Sequence, residues 1–121
     1  MISGGNATVF VSDMDRVVEF YTRPLGLKLA ERYGNHWATA EDGQGLTIGL
    51  HPPSPQHPAP GTPGAIVLGL RITVPIEDAR RQLEIAGVRI LGDIVRSQEG
   101  NFLHLQDPDG NRMYLWAEAW G

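Results

Sequence analysis

The apolar residues of the chain form two series that predict the same order of elements. Each series opens on a short β-branched run, residues 7–11 and residues 66–72, which is typical of a strand. Apolar residues then recur three and four positions apart, which predicts a helix in each series. The two helical stripes are Met14, Val17, Val18 and Tyr21, and Ile76, Ala79, Leu83 and Ala86.

Three shorter strands are predicted after each helix, separated by Gly, Asn and Asp residues that favour turns. They span residues 27–32, 36–40 and 45–50 in the first series, and 88–91, 101–106 and 112–117 in the second. The pattern therefore predicts a β-α-β-β-β unit that occurs twice. Six of the nine prolines fall between the two copies, where they favour a stiff, extended connector. We expect one domain, 1–121, built from module 1 (1–50), a connector (51–65) and module 2 (66–121).

Three segments of the chain carry a family resemblance. VSDMDRVVEFYTRPLGLKL (11–29), ITVPIEDARRQLEIAGVRI (72–90) and QDPDGNRMYLW (106–116) resemble the vicinal oxygen chelate superfamily of glyoxalase, bleomycin-resistance and extradiol-dioxygenase proteins. The resemblance implies an α+β fold in which two β-α-β-β-β modules form a cupped, partly closed mixed sheet with the helices outside. It also implies a homodimer, since a second chain commonly completes such cups.

The resemblance also allows a test for a metal ion. Metal-dependent members gather four ligands, usually His, Glu or Gln, from the first and last strands of each module. The corresponding positions here are Asn6, Gly49, Val67 and Tyr114. Because divalent ions need several converging carboxylate or imidazole groups, we expect no metal and no other cofactor. An alternative with a displaced metal would use His51, His104 and Glu118.

Composition narrows the function further. A net charge of −4 with scattered basic residues does not favour nucleic-acid binding, and it argues weakly against an anionic ligand. Without cysteine, there is no thiolate nucleophile and no disulfide. No apolar run is long enough to cross a membrane, and the first residues lack the pattern of a signal peptide. We therefore expect a cytoplasmic protein without membrane or nucleic-acid partners.

Strand alternation places mixed aromatic and polar side chains inside the expected cup, as in small-molecule sites. The candidate ligand-binding residues are Asn6, Thr8, Phe10, His51, Arg71, His104, Arg112, Tyr114 and Trp116. Arg71 needs either an internal acid or an anionic group of a ligand as its partner. The pattern leaves the face of Trp37 open, and we favour the core.

The function that we expect is metal-free sequestration of a small molecule, aromatic ligands included, as in antibiotic resistance. One alternative is a glyoxalase-like lyase or isomerase, or a dioxygenase relative, with a relocated metal or with His104 or His51 as a general base. The other is a non-catalytic structural or regulatory dimer whose cup is filled by its own side chains.

Overall fold

The computed structural model describes Met1 and residues 5–119. Its elements are β1 (Ala7–Phe10), α1 (Met14–Thr22), β2 (Lys28–Tyr33), β3 (Trp37–Glu41), β4 (Thr47–His51), β5 (Leu68–Arg71), α2 (Ile76–Ile85), β6 (Arg89–Ser97), β7 (Gly100–Gln106) and β8 (Arg112–Ala117). This order is β-α-β-β-β twice, so the predicted α+β fold with mixed sheets is confirmed. The chain divides into two compact units, Met1–Thr62 (unit 1) and Pro63–Gly121 (unit 2).

Unit 1 holds a four-stranded sheet in the order β1-β4-β3-β2. Strand β1 is parallel to β4, and the other neighbours are antiparallel. Helix α1 begins after Asp13, whose side chain accepts a hydrogen bond from the Arg16 backbone N–H at 3.2 Å and so caps the first turn. The helix packs its apolar stripe on one face of the sheet. The core there contains Val9, Val11, Val17, Tyr21, Ala38, Ala40, Ile48 and Leu50.

Unit 2 repeats this plan, with the sheet order β5-β8-β7-β6 and β5 parallel to β8. Its buried side chains come from α2 and from alternate positions of β5, β7 and β8, and include Ile76, Leu83, Leu103, Leu105 and Met113. The turn between β7 and β8 is held by Asp107, whose Oδ1 accepts the backbone N–H groups of Asp109 and Asn111 at 2.9 Å each. Its Oδ2 accepts the Asn111 amide at 2.9 Å.

The bounds of several strands differ from the prediction. Strand β6 continues to Ser97, beyond the predicted end at Leu91, because a bulge shifts the register between Leu91 and Val95. Gly92 supplies the positive φ of +77° at this bulge, a conformation that glycine adopts at little cost. His51 lies in β4 and not in the connector.

Strand alternation predicts that Ala7, like Val9, is buried against the helix. In the structure Ala7 is exposed because it opens β1 at the edge of the sheet. No helix in the described part of the chain is long and apolar enough to cross a membrane.

Candidate functional site

Each sheet has one face packed on its own helix and one turned away from it, which we call the helix-free face. In unit 1, the buried residues Val9, Ala38 and Ile48 face the helix. Because side chains alternate along a strand, the residues next to them in sequence face away from the helix. The helix-free face of unit 1 carries Thr8, Phe10, Trp37, Thr39, Gly49 and His51, and that of unit 2 carries Gly69, Arg71, Phe102, His104, Arg112, Tyr114 and Trp116.

Aromatic rings dominate the helix-free face of unit 1. Phe10 lies between two histidines: its ring centre is 5.4 Å from that of His51, edge to face, and 4.4 Å from that of His57, stacked at 24°. Trp37 lies on the other side of His51, with its ring centre 6.3 Å away. His57 comes from the proline-rich connector, so this segment contributes to the face. The result is an aromatic surface across β1, β4 and β3.

Trp37 occupies the space that Gly49 leaves open. A Cβ atom built on Gly49 would lie 2.3 Å from Cη2 of the Trp37 ring, closer than any packed carbon pair. The indole therefore rests directly on the backbone of β4. The core position that we favoured for Trp37 was wrong, and its open face is now determined: Trp37 is half-buried and lies on the helix-free face.

One polar atom on this face has no partner. Thr39 is opposite Gly49 in the sheet and only 4% exposed, and its hydroxyl oxygen makes no hydrogen bond to any described residue. A buried hydroxyl without a partner costs stability. Such groups are often satisfied by water or by a ligand.

The polar residues beside this aromatic surface are held by local hydrogen bonds. The Thr8 hydroxyl donates to Asn6 Oδ1 at 3.1 Å. His51 Nδ1 is 2.6 Å from the Pro52 carbonyl oxygen. Because a carbonyl only accepts, Nδ1 carries the proton, and in the neutral ring Nε2 is left with its lone pair.

Unit 2 repeats the contact between an aromatic ring and a strand glycine. A Cβ atom built on Gly69 would lie 2.5 Å from Cζ and from the hydroxyl oxygen of Tyr114, which is directly opposite on β8. The Tyr114 ring centre is also 5.9 Å from that of His104 and 6.0 Å from that of Phe102. Tyr114 thus lies at the centre of this face.

The charged residues of this face differ in their pairing. Arg71 forms an ion pair with Glu118 at 2.8 Å, and its guanidinium carbon lies 5.4 Å from the centre of the Trp116 ring, within the range of a cation–π contact. Of the two partners left open for Arg71, the structure contains the internal acid. Arg112 is exposed and forms no ion pair with a described residue.

The structure divides the nine candidate residues between the units. Unit 1 contains Asn6, Thr8, Phe10 and His51, and unit 2 contains Arg71, His104, Arg112, Tyr114 and Trp116. Sequence reasoning missed Trp37, Thr39 and His57. Trp37 and Thr39 alternate with Ala38 and Ala40, a signal that would have placed them on this face. For His57 no such signal exists.

The residues present do not fit the divalent metal that the fold family implies. At the corresponding positions, Asn6 is hydrogen bonded to Thr8, Gly49 lies under an indole ring, and Tyr114 packs on Gly69. In the described part of the chain, no three His, Asp or Glu side chains come together as metal ligands would. Glu118, the carboxylate of the alternative set, is in its ion pair with Arg71.

A depression of about 300 Å³ lies elsewhere in unit 1, at the N-terminal end of α1. Its lining includes Asp13 and Asp15. Asp13 caps the helix, and Asp15 forms an ion pair with Arg32. Both carboxylates therefore have structural roles, and this depression does not belong to either helix-free face.

Solved structures resemble this chain over nearly its whole length. The antibiotic-binding protein TnmS3 from Streptomyces sp. CB03234 is 26% identical with a TM-score of 0.79, and the match covers 98% of this chain and 97% of that one. A glyoxalase/bleomycin resistance protein from the same organism is 28% identical with a TM-score of 0.75, covering 94% and 99%. Lactoylglutathione lyase from Agrobacterium tumefaciens, at 14% identity and a TM-score of 0.76 over 98% and 95% of the chains, shares the fold.

No curated protein is significantly similar to the chain in sequence. The family model described as "Glyoxalase/Bleomycin resistance protein/Dioxygenase superfamily" matches residues 5–115. This match extends from the residue before Asn6 to Leu115 in β8, and so includes every strand and both helices at least in part. The chain belongs to the glyoxalase/bleomycin resistance protein/dioxygenase superfamily.

Proposed function

We propose that this protein binds a planar aromatic small molecule without a resident metal ion and without transforming it. One observation carries the proposal: a ring rests on a strand glycine on each helix-free face, Trp37 on Gly49 and Tyr114 on Gly69. Flat rings held against the backbone offer surfaces on which an aromatic ligand can stack.

Polar groups beside these rings support a binding role. His51 Nε2 is a hydrogen-bond acceptor, and the Thr39 hydroxyl can donate or accept. Neither group has a partner among the described residues. A few polar groups within an apolar and aromatic lining are the usual composition of a ligand site. The similarity to TnmS3, which is described as an antibiotic-binding protein, supports sequestration as the role.

Titration of the purified protein with bleomycin and with naphthalen-2-ylmethanol tests this function, with calorimetry and tryptophan fluorescence as readouts. We expect saturable binding of at least one compound, with no turnover. Phe10→Ala or Trp116→Ala should weaken it about tenfold. Ile85→Ala, on the exposed side of α2, is the matched control.

Two results would overturn the proposal. One is a full equivalent of Mn, Fe, Ni or Zn in protein purified without chelator. The other is no saturable binding of either compound by the folded protein, which would favour a structural or regulatory role. A homodimer is part of the same proposal. The molar mass measured by light scattering on the protein as it elutes from a size-exclusion column tests it.

A second function is favoured by the hydrogen bond of His51. With Nδ1 donating to the Pro52 carbonyl, Nε2 is fixed as the basic nitrogen, as a general base requires. In this case the protein would turn over a hemithioacetal, and His51→Gln would abolish turnover while His104→Gln would not. Absence of turnover in the wild-type protein would exclude this alternative for that substrate.

A further inference from the structure

Two arginines and a glutamine form one row across the helix-free face of unit 2. Arg89 on β6 is directly opposite Gln106 on β7, and Gln106 is directly opposite Arg112 on β8. Side chains at paired positions of antiparallel strands lie on the same face. The backbones of the two arginines are therefore about 10 Å apart, two interstrand spacings, with an amide between them.

Pairing distinguishes these two arginines from the others in their unit. Unit 2 contains six arginines. Four are in ion pairs, namely Arg71 with Glu118, Arg80 with Glu84, Arg81 with Asp78 and Arg96 with Glu77. The side chains of Arg89 and Arg112 form no ion pair and no hydrogen bond with any described residue. The two guanidinium groups without a partner are thus the two that flank Gln106.

The charge of this face is opposite to that of the chain. The chain carries −4, whereas the helix-free face of unit 2 carries Arg71, Arg89 and Arg112. Glu118 pairs with Arg71, and none of the described residues at paired strand positions on this face is acidic. At physiological ionic strength, charges act over about 8 Å. A bound group therefore experiences these arginines more strongly than the distant acids, and the argument from overall charge against an anionic ligand does not apply here.

We infer that Arg89 and Arg112, with Gln106 between them, bind the oxyanion of a planar aromatic ligand, a carboxylate in the simplest case. A guanidinium group binds a carboxylate through two parallel hydrogen bonds, and the Gln106 amide adds a donor. The next row of the face holds His104 and Tyr114. A ligand anchored at the arginine row thus has its aromatic part directed over the Tyr114 ring.

This inference rests on the proposed function and specifies its ligand class. It is tested with three compounds that share one ring system: naphthalene-2-carboxylate, naphthalen-2-ylmethanol and naphthalen-2-ylmethylammonium. Calorimetric titration at neutral pH should give an affinity for the carboxylate at least tenfold above that for the alcohol, and the ammonium compound should bind most weakly. The preference should shrink as salt is added.

Substitutions test whether the preference for the carboxylate comes from the row of Arg89, Gln106 and Arg112. Arg89→Gln and Arg112→Gln should each weaken carboxylate binding about tenfold and weaken alcohol binding much less, so that the ratio of the two affinities falls. Arg81→Gln, which removes a paired arginine of α2, is the matched control and should change neither. Both arginines of the row are exposed, so their variants should fold. Circular dichroism of each variant checks this. Arg112→Lys keeps the positive charge but loses the two parallel hydrogen bonds of the guanidinium group. It should therefore retain part of the preference for the carboxylate over the alcohol.

The outcomes distinguish a failure of the anion site from a failure of the proposed aromatic-binding function. Equal affinities for the carboxylate and the alcohol, or a preference that survives both Gln substitutions, would overturn the anion site and leave the aromatic-binding function standing. Failure of all three compounds and of bleomycin to bind the folded protein would overturn both.

Discussion

Replacing Gly49 by alanine tests whether the position of Trp37 depends on the bare backbone beneath it. The new Cβ would lie 2.3 Å from Cη2 of the ring, whereas packed carbon atoms are separated by about 3.5 Å or more. The indole must therefore move by about 1.2 Å or rotate away, because the backbone of a strand paired on both sides cannot move as easily.

Two opposing contributions set the size of the effect. Overpacking of this kind costs about 1–3 kcal/mol. Alanine also restricts the unfolded chain, which stabilises the folded state by about 0.4–1 kcal/mol. We expect a net loss of about 0.5–2 kcal/mol in the free energy of unfolding.

Urea unfolding of a double-mutant cycle measures the contact itself. In a Trp37→Ala background the ring is absent, so Gly49→Ala should leave the protein unchanged or slightly more stable. The coupling between the two positions should be about 1–3 kcal/mol. As a control, Gly69→Ala in the same background should retain its full cost, since its contact is Tyr114. An equal cost of Gly49→Ala with and without Trp37 would refute the reasoning.

Three other expectations concern the turns and the metal. Asp107→Ala removes a buried carboxylate that accepts three hydrogen bonds within its own turn, and should lower the free energy of unfolding by about 2–4 kcal/mol, against little change for the exposed Asp93→Ala. The backbone N–H groups of Gln44 and Leu46 lower the pKa of Asp42. Its stabilising effect is therefore present above the ordinary carboxyl pKa and is lost as the pH falls through the lowered value. Urea midpoints should show a weaker acid dependence for Asp42→Asn than for the wild type. Chelator treatment should leave the melting temperature unchanged, and a fall in that temperature would indicate a metal that stabilises the fold.

The order of elements was predictable because its signals are local. Asp13 before the stripe of α1, Pro24 after it, and the Asp-Gly pairs between strands each act within a few residues. The repeat strengthened the prediction, since two diverged copies gave the same order. Strand ends were less predictable, as in β6, where the bulge at Gly92 extends pairing beyond the apolar run.

The composition of the two faces was harder to predict because it depends on pairing between distant residues. A shift of one residue in a strand exchanges its two faces, and β2 contains a register shift between Leu29 and Glu31, on the strand next to the one that carries Trp37. His57 lies in a segment without periodicity, so no pattern places its ring on Phe10. The row of Arg89 and Arg112 becomes visible only once β6, β7 and β8 are aligned.

The pairing of the first strand of each unit with its last strand has a consequence for synthesis on the ribosome. Among the described strands, β5 is hydrogen bonded to β8 and to no other, and α2, β6 and β7 separate the two along the chain. While the chain emerges, β5 has no partner until residues 112–117 have been made. Because the closing of such long loops slows folding, this step should be slow. A nonsense mutation just before Arg112 would also remove a central strand and leave both of its neighbours with unpaired backbone groups, which favour aggregation.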